Sequence, residues 1–149
     1  NTRALAKAIA GSLGAEIEEI RDSVDRSGIW GYLRSASEGG FGRKFEIESQ
    51  RFNPANFDVV VIGTPVWRWS VSTPVGRYIT DHHRALGRVA FFCTMGGVGD
   101  SRTFRQMQAQ CGKPPLATLG LRQADVAKDG GARAAAAFAQ RIKAVVPVA

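Results

Sequence analysis

The sequence predicts an α/β domain: a doubly wound parallel sheet with helices on both faces. Two observations carry that reading. Val59–Gly63 (VVVIG) and Val89–Thr94 (VAFFCT) are short, apolar on both alternating faces, and rich in β-branched or aromatic residues. Such runs are strands buried from both sides in a helix-covered parallel sheet. Helical patterns follow them at Pro74–Leu86 and Ser101–Cys111, and strands alternating with helices at this spacing build βαβ units.

Taken in order, Asn1–Gly14 carries Leu5, Ile9 and Leu13 on one stripe, and Gly14 is placed to end that helix as a C-cap. In Ala15–Ile20, Ile17 and Ile20 flank two glutamates, which predicts a short strand near a sheet edge. Ile29–Leu33 reads as a helical or irregular insertion, Glu38–Gly42 as a flexible loop, and Phe45–Gln50 as extended chain or loop. After the strand at Val59–Gly63, Pro74 sits in the first turn of a helix reaching Leu86. Ser101–Cys111 is a polar helix with Phe104 and Met107 on one face. Pro115–Leu121 (PLATLGL) is a third strand, and Gly131–Val146 a helix packing through Phe138, Ile142 and Val145. The three apolar strands are expected side by side in chain order, joined by right-handed crossovers. A doubly wound fold normally opens on a central strand feeding its first helix, whereas this pattern opens on the helix. A strand upstream of Asn1 is therefore expected, and Ala15–Ile20 is not expected to pair directly with Val59–Gly63.

Composition narrows the function classes. The 149 residues suffice for one cored domain, and no repeat or linker divides residues 1–149. No apolar run approaches membrane-spanning length and no secretory signal opens the chain, so a cytoplasmic protein without membrane attachment is expected. Cys93 and Cys111 are then two reduced thiols. The net charge is +7, but fifteen arginines and five lysines are scattered rather than clustered. With no recognition-helix or zinc-finger spacing beside them, no nucleic-acid partner is expected. His82 and His83 are adjacent and so do not share a helical face, and no metal site is expected. No nucleophile elbow is present.

The candidate site lies in two loops and a helix start. The first strand breaks into Thr64-Pro65-Val66-Trp67-Arg68-Trp69, placing two indoles where open α/β sheets bind ligands, beyond the strand carboxyl ends. At least one of Trp67 and Trp69 facing a flat ligand, or both as plain loop aromatics, are the readings open at this point. Arg68 is either a solvated side chain or a charge turned toward that ligand. The second strand closes into Thr94-Met95-Gly96-Gly97-Val98-Gly99-Asp100, where glycines let backbone amides approach a ring that side chains would block. At the helix start, Asn1 and Thr2 are an ordinary N-cap or donors to a phosphate, with Arg3 beside them.

These loops resemble those of the flavodoxin-like flavoproteins. Asn1-Thr2-Arg3 is similar to the tail of the family's phosphate loop, Thr64-Pro65-Val66-Trp67 to its second flavin loop, and Thr94–Asp100 to its third. The resemblance spans essentially the whole chain, apart from the first strand and the start of the phosphate loop. It implies strand order 2-1-3-4-5, FMN as cofactor, and a flavin site formed by Asn1, Thr2, Thr64, Pro65, Val66, Trp67, Arg68, Trp69, Thr94, Met95, Gly96, Gly97 and Gly99. Three functions stay open under it. One is a carrier passing electrons through bound flavin to a redox partner. Another is an NAD(P)H-dependent oxidoreductase of quinones or other small acceptors. The third is a flavin-free interaction module. The family's well-known carriers are acidic, so the basic charge favours the enzyme or an acidic partner. Donor, acceptor and oligomeric state are not written in the sequence.

Overall fold

Leu5 and Ile9, one helical turn apart, are buried on the inner face of α1 (Thr2–Leu13). Gly14 then ends the helix at φ 62°, its N–H donating to the carbonyl of Ala10. The computed structural model describes residues 1–21 and 50–146. The readings for Ile29–Leu33 and Glu38–Gly42, and all but the last residue of Phe45–Gln50, lie outside them.

Ala15–Ile20 is not a strand: it forms no ladder among the described residues. Alternation specifies which side chains face inward but supplies no backbone partner, and here side chains hold the segment instead. Glu18 accepts hydrogen bonds from the backbone amides of Arg51 and Phe52. Glu19 pairs with Arg3 at 2.7 Å, and Ile20 packs near the core residues that Val60 also touches.

After a single 3-10 turn at Pro54–Asn56, the sheet is built from β1 (Val59–Trp67), β2 (Ser70–Val71), β3 (Arg88–Met95) and β4 (Thr118–Arg122). Their order is β2-β1-β3-β4. β1, β3 and β4 run parallel and adjacent, as expected, with Val59 opposite Arg88 and Phe91 opposite Thr118. β2 folds back antiparallel on the last two residues of β1. Among the described residues, the edge of β1 away from β3 is paired only at Val66 and Trp67.

The helices α2 (Thr73–His82), α3 (Asp100–Cys111), α4 (Gln123–Asp129) and α5 (Ala132–Val145) complete the layers. One face of the sheet buries Ile62, Val89 and Phe91 against Val75 and Ile79 of α2 and Met107 of α3. The other buries Ala90 and Phe92 against Leu5 and Ile9 of α1 and Phe138 and Ile142 of α5. Val145 falls off that stripe and is exposed, at the last turn of its helix. Gly63 and Phe92 are cross-strand partners, and a Cβ on Gly63 would lie 1.9 Å from the Phe92 ring. Only glycine lets that ring lie flat across β1. The helix expected over Pro74–Leu86 stops at His82, where the amides of Ala85 and Leu86 both turn back to the His82 carbonyl. No helix among the described residues is long and apolar enough to cross a membrane.

Candidate functional site

Three parts of the chain converge at the carboxyl ends of the parallel strands. The parallel ladder closes with Pro65 of β1 opposite Thr94 of β3. The Thr94 hydroxyl is hydrogen-bonded to that of Thr2 at 2.5 Å, which brings the first turn of α1 to the same edge. Gly99, ahead of α3, lies against the turn after β1: a Cβ there would sit 3.0 Å from Val66 Cγ1 and 3.2 Å from Trp69 Cδ1. At φ 121° Gly99 holds a conformation closed to other residues as well.

The N-terminus of α1 is suited to an anion. Asn1 occupies the cap position without a side-chain hydrogen bond to the helix, and the first turn holds no acidic residue. The earliest bond within the helix is from Leu5 N–H to the Asn1 carbonyl, so the amides ahead of it point outward at the positive end of the helix dipole. Asn1, Thr2, Arg3, Ala4, Lys7 and Glu19 line an open cleft of about 570 Å³ there. Its charge is mixed: hydrogen bonding to Arg3, with the charge of Arg21 adding to it, holds the Glu19 carboxyl below the usual range.

Between β1 and β2 the chain reverses in two residues, Arg68 and Trp69, at φ 47° and 61°. This is the geometry of a type I′ hairpin, normally made by Asn-Gly because both central residues are left-handed. For side-chain-bearing residues such conformations cost about 1–3 kcal/mol each and persist where surrounding contacts impose them. Here the contacts are on both flanks. Thr64, fully buried, donates its hydroxyl to the Pro65 carbonyl at 2.7 Å and accepts the Ser72 N–H at 3.0 Å. Val71 N–H donates to Gln106 Oε1 of α3 at 3.0 Å.

The predicted site residues thus divide. Asn1 and Thr2 stand at the helix start, with Asn1 exposed and Thr2 partly buried. Thr64 and Thr94 are buried, and their hydroxyls are engaged within the protein, so these two hold the loops in place. Pro65 and Val66 are half-buried under the turn. Trp67 and Trp69 are 41% and 58% exposed, and Arg68 between them is exposed. Met95 is buried, whereas Gly96 and Gly97 are exposed. A Cβ on either of these glycines would meet nothing within 4 Å, and neither has a left-handed φ. Nothing among the described residues requires glycine there, and none of them fills the space beside that backbone. A planar group with a phosphate fits this arrangement: uncapped amides for the phosphate, exposed indoles and open glycine backbone for the plane. Gln106 escaped sequence reasoning, since nothing in the sequence distinguishes it from Gln108 and Gln110 on the same polar helix.

A family model described as Flavodoxin matches residues 1–129. Among curated proteins none matches. Among solved structures, a flavoprotein of Lactobacillus acidophilus NCFM in complex with FMN superposes with a TM-score of 0.66 at 18% identity, covering 88% of this chain and 91% of its own. A proposed flavoprotein of Bacteroides eggerthii DSM 20697 gives 0.72 at 20% identity, covering 97% and 91%. Another, from Bacteroides uniformis ATCC 8492, gives 0.71 at 17% identity, covering 94% and 90%. At such identities the likeness is one of fold.

Proposed function

The chain belongs to the flavodoxin family, and from that premise we propose that it binds FMN and passes electrons through it. The observation that carries this reading is the convergence at one sheet edge of an uncapped helix start, a turn bearing two exposed indoles, and an open glycine loop. The fold is shared with a flavoprotein crystallised with FMN, which makes that cofactor the natural occupant.

In this reading the outward amides at the start of α1, with Asn1 and Thr2, hold the phosphate. Trp67 or Trp69 stacks on the ring and keeps water from it, while the backbone of Gly96 and Gly97 meets its polar edge. Arg68 adds a positive charge that favours electron gain nearby. When bound, the flavin supplies the one- and two-electron chemistry, and the protein supplies orientation and electrostatics. The buried free thiols of Cys93 and Cys111 suit a cytoplasmic setting.

The net charge of +7 supports a second reading, an oxidoreductase moving electrons from NAD(P)H to a quinone or similar small acceptor. A basic protein is repelled by the positive docking faces that acidic carriers use. Titration of the protein with FMN, followed by flavin absorption and fluorescence, tests the proposal. Saturable binding is expected, and its absence would leave only a flavin-free interaction module. Consumption of NAD(P)H with a quinone by the FMN-loaded protein then separates the enzyme from the carrier.

A further inference from the structure

The Arg68-Trp69 turn is a strained reversal attached to a strand of only two residues, β2. In a two-residue hairpin the closing pair, here Trp67 and Ser70, faces across the ladder, and the next amide points away from the partner strand. That amide is Val71 N–H, on the outer edge of β2, where a sheet neighbour would otherwise be needed. It is met by Gln106 Oε1 at 3.0 Å. Gln106 lies on α3, the helix that emerges directly from Gly99. One helix therefore links the two loops of the site: its cap, Gly99, belongs to the glycine loop and lies against Trp69, and its Gln106 reaches β2. A turn later, Gln110 and Val71 both border Gly76 near the start of α2: a Cβ there would lie 3.4 Å from Gln110 Nε2 and 3.5 Å from Val71 Cγ1. The outer flank of the turn is thereby fixed to α3.

We infer that Gln106 is a positioning residue: by accepting the Val71 N–H it fixes the Trp67–Trp69 turn at the angle that faces the glycine loop. The inference rests on the FMN reading for its functional consequence, though the positioning itself is a property of the protein alone. Without the acceptor, the outer amide of β2 turns to water, and the left-handed turn loses one of the contacts that hold it.

Two substitutions separate the hydrogen bond from packing. Gln106→Met keeps the length and removes the acceptor, whereas Gln106→Glu keeps an acceptor oxygen in the same place. Indole N–H resonances of Trp67 and Trp69 and amide exchange at Val71 are read in the protein without FMN, and FMN affinity is read by titration. Gln106→Met is expected to shift both indole resonances, speed exchange at Val71 and weaken FMN binding roughly fivefold, the size of one neutral hydrogen bond. Gln106→Glu is expected to match the parent in all three. Unchanged resonances in Gln106→Met, or equal perturbation in both variants, would overturn the inference, as would shifted resonances with undiminished FMN affinity. Should Gln106→Met fail to fold, Gln106→Ala serves in its place. If the parent protein binds no FMN, the proposed function falls, while the resonances and the Val71 exchange still decide whether Gln106 holds the turn.

Discussion

The hydroxyls of Thr2 and Thr94 lie 2.5 Å apart and tie the first turn of α1 to the carboxyl end of β3. The contact joins the proposed phosphate site to the strand that leads into the glycine loop, so the two cannot drift independently. Thr94 is 1% exposed. Replacing it with valine keeps its volume, removes the bond and leaves the Thr2 hydroxyl to find another partner. A loss of about 1 kcal/mol in stability is expected, together with severalfold weaker FMN binding. Denaturant unfolding and FMN titration of Thr94→Val check both, and unchanged values in the two would deny the contact any role.

Gly63→Ala is expected to be costly although the change is a single methyl. The new Cβ would fall 1.9 Å from the Phe92 ring, which is itself 4% exposed and packed between the sheet and the helices α1 and α5. Overpacking of that kind costs about 1–3 kcal/mol. Adding Phe92→Leu should recover part of the loss, because the two residues touch and their effects do not add. A fully additive double variant would mean that the ring is not the obstacle.

The strands of the parallel sheet were legible because Val59–Gly63 and Val89–Thr94 are apolar on both faces, which few other environments tolerate. Their neighbours were legible only in part. Ala15–Ile20 alternates like a strand, but alternation does not supply an adjacent edge, and Glu18 and Glu19 are engaged through their side chains instead. β2 gave no signal: it is two residues long, and its turn is Arg68-Trp69 where Asn-Gly would mark a hairpin. α4 (QADVAKD) is too short and polar to show a stripe, with only Val126 buried. At the site, the tryptophans and glycines stood out by residue type. The inward-turned roles of Thr64 and Thr94 did not, since a threonine after a strand looks the same whether its hydroxyl faces a ligand or the protein.

Replacing both Trp67 and Trp69 with alanine tests the stacking role. Both indoles are well exposed, so the loss should fall on binding and leave the fold intact. Stacked aromatic contact is worth on the order of 1 kcal/mol beyond area burial, which translates to at least a severalfold drop in FMN affinity. Circular dichroism confirms folding, and an FMN titration equal to that of the parent would rule the stacking role out.

The buried thiols set the alkaline limit. Burial, with a smaller contribution from the Asp100 carboxylate, pushes the Cys93 thiol up to about 12 from an ordinary value of 9.0. Burial raises Cys111 as well, and the Tyr78 hydroxyl moves in the same direction from 10.0. For each group the folded state holds its proton at a pH where the unfolded chain has released it. The stabilisation is complete below the unfolded values and is lost as pH climbs through the folded ones. Stability is therefore expected to be level through neutral pH and to fall from about pH 9 upward. Denaturant midpoints measured from pH 7 to pH 11 follow this directly, and Cys93→Ala should flatten the early part of the decline. A thiol-specific disulfide reagent at pH 8 should leave both cysteines of the native protein unmodified and react with both on unfolding. Rapid modification of Cys93 in the folded protein would show that its thiol is neither buried nor held protonated.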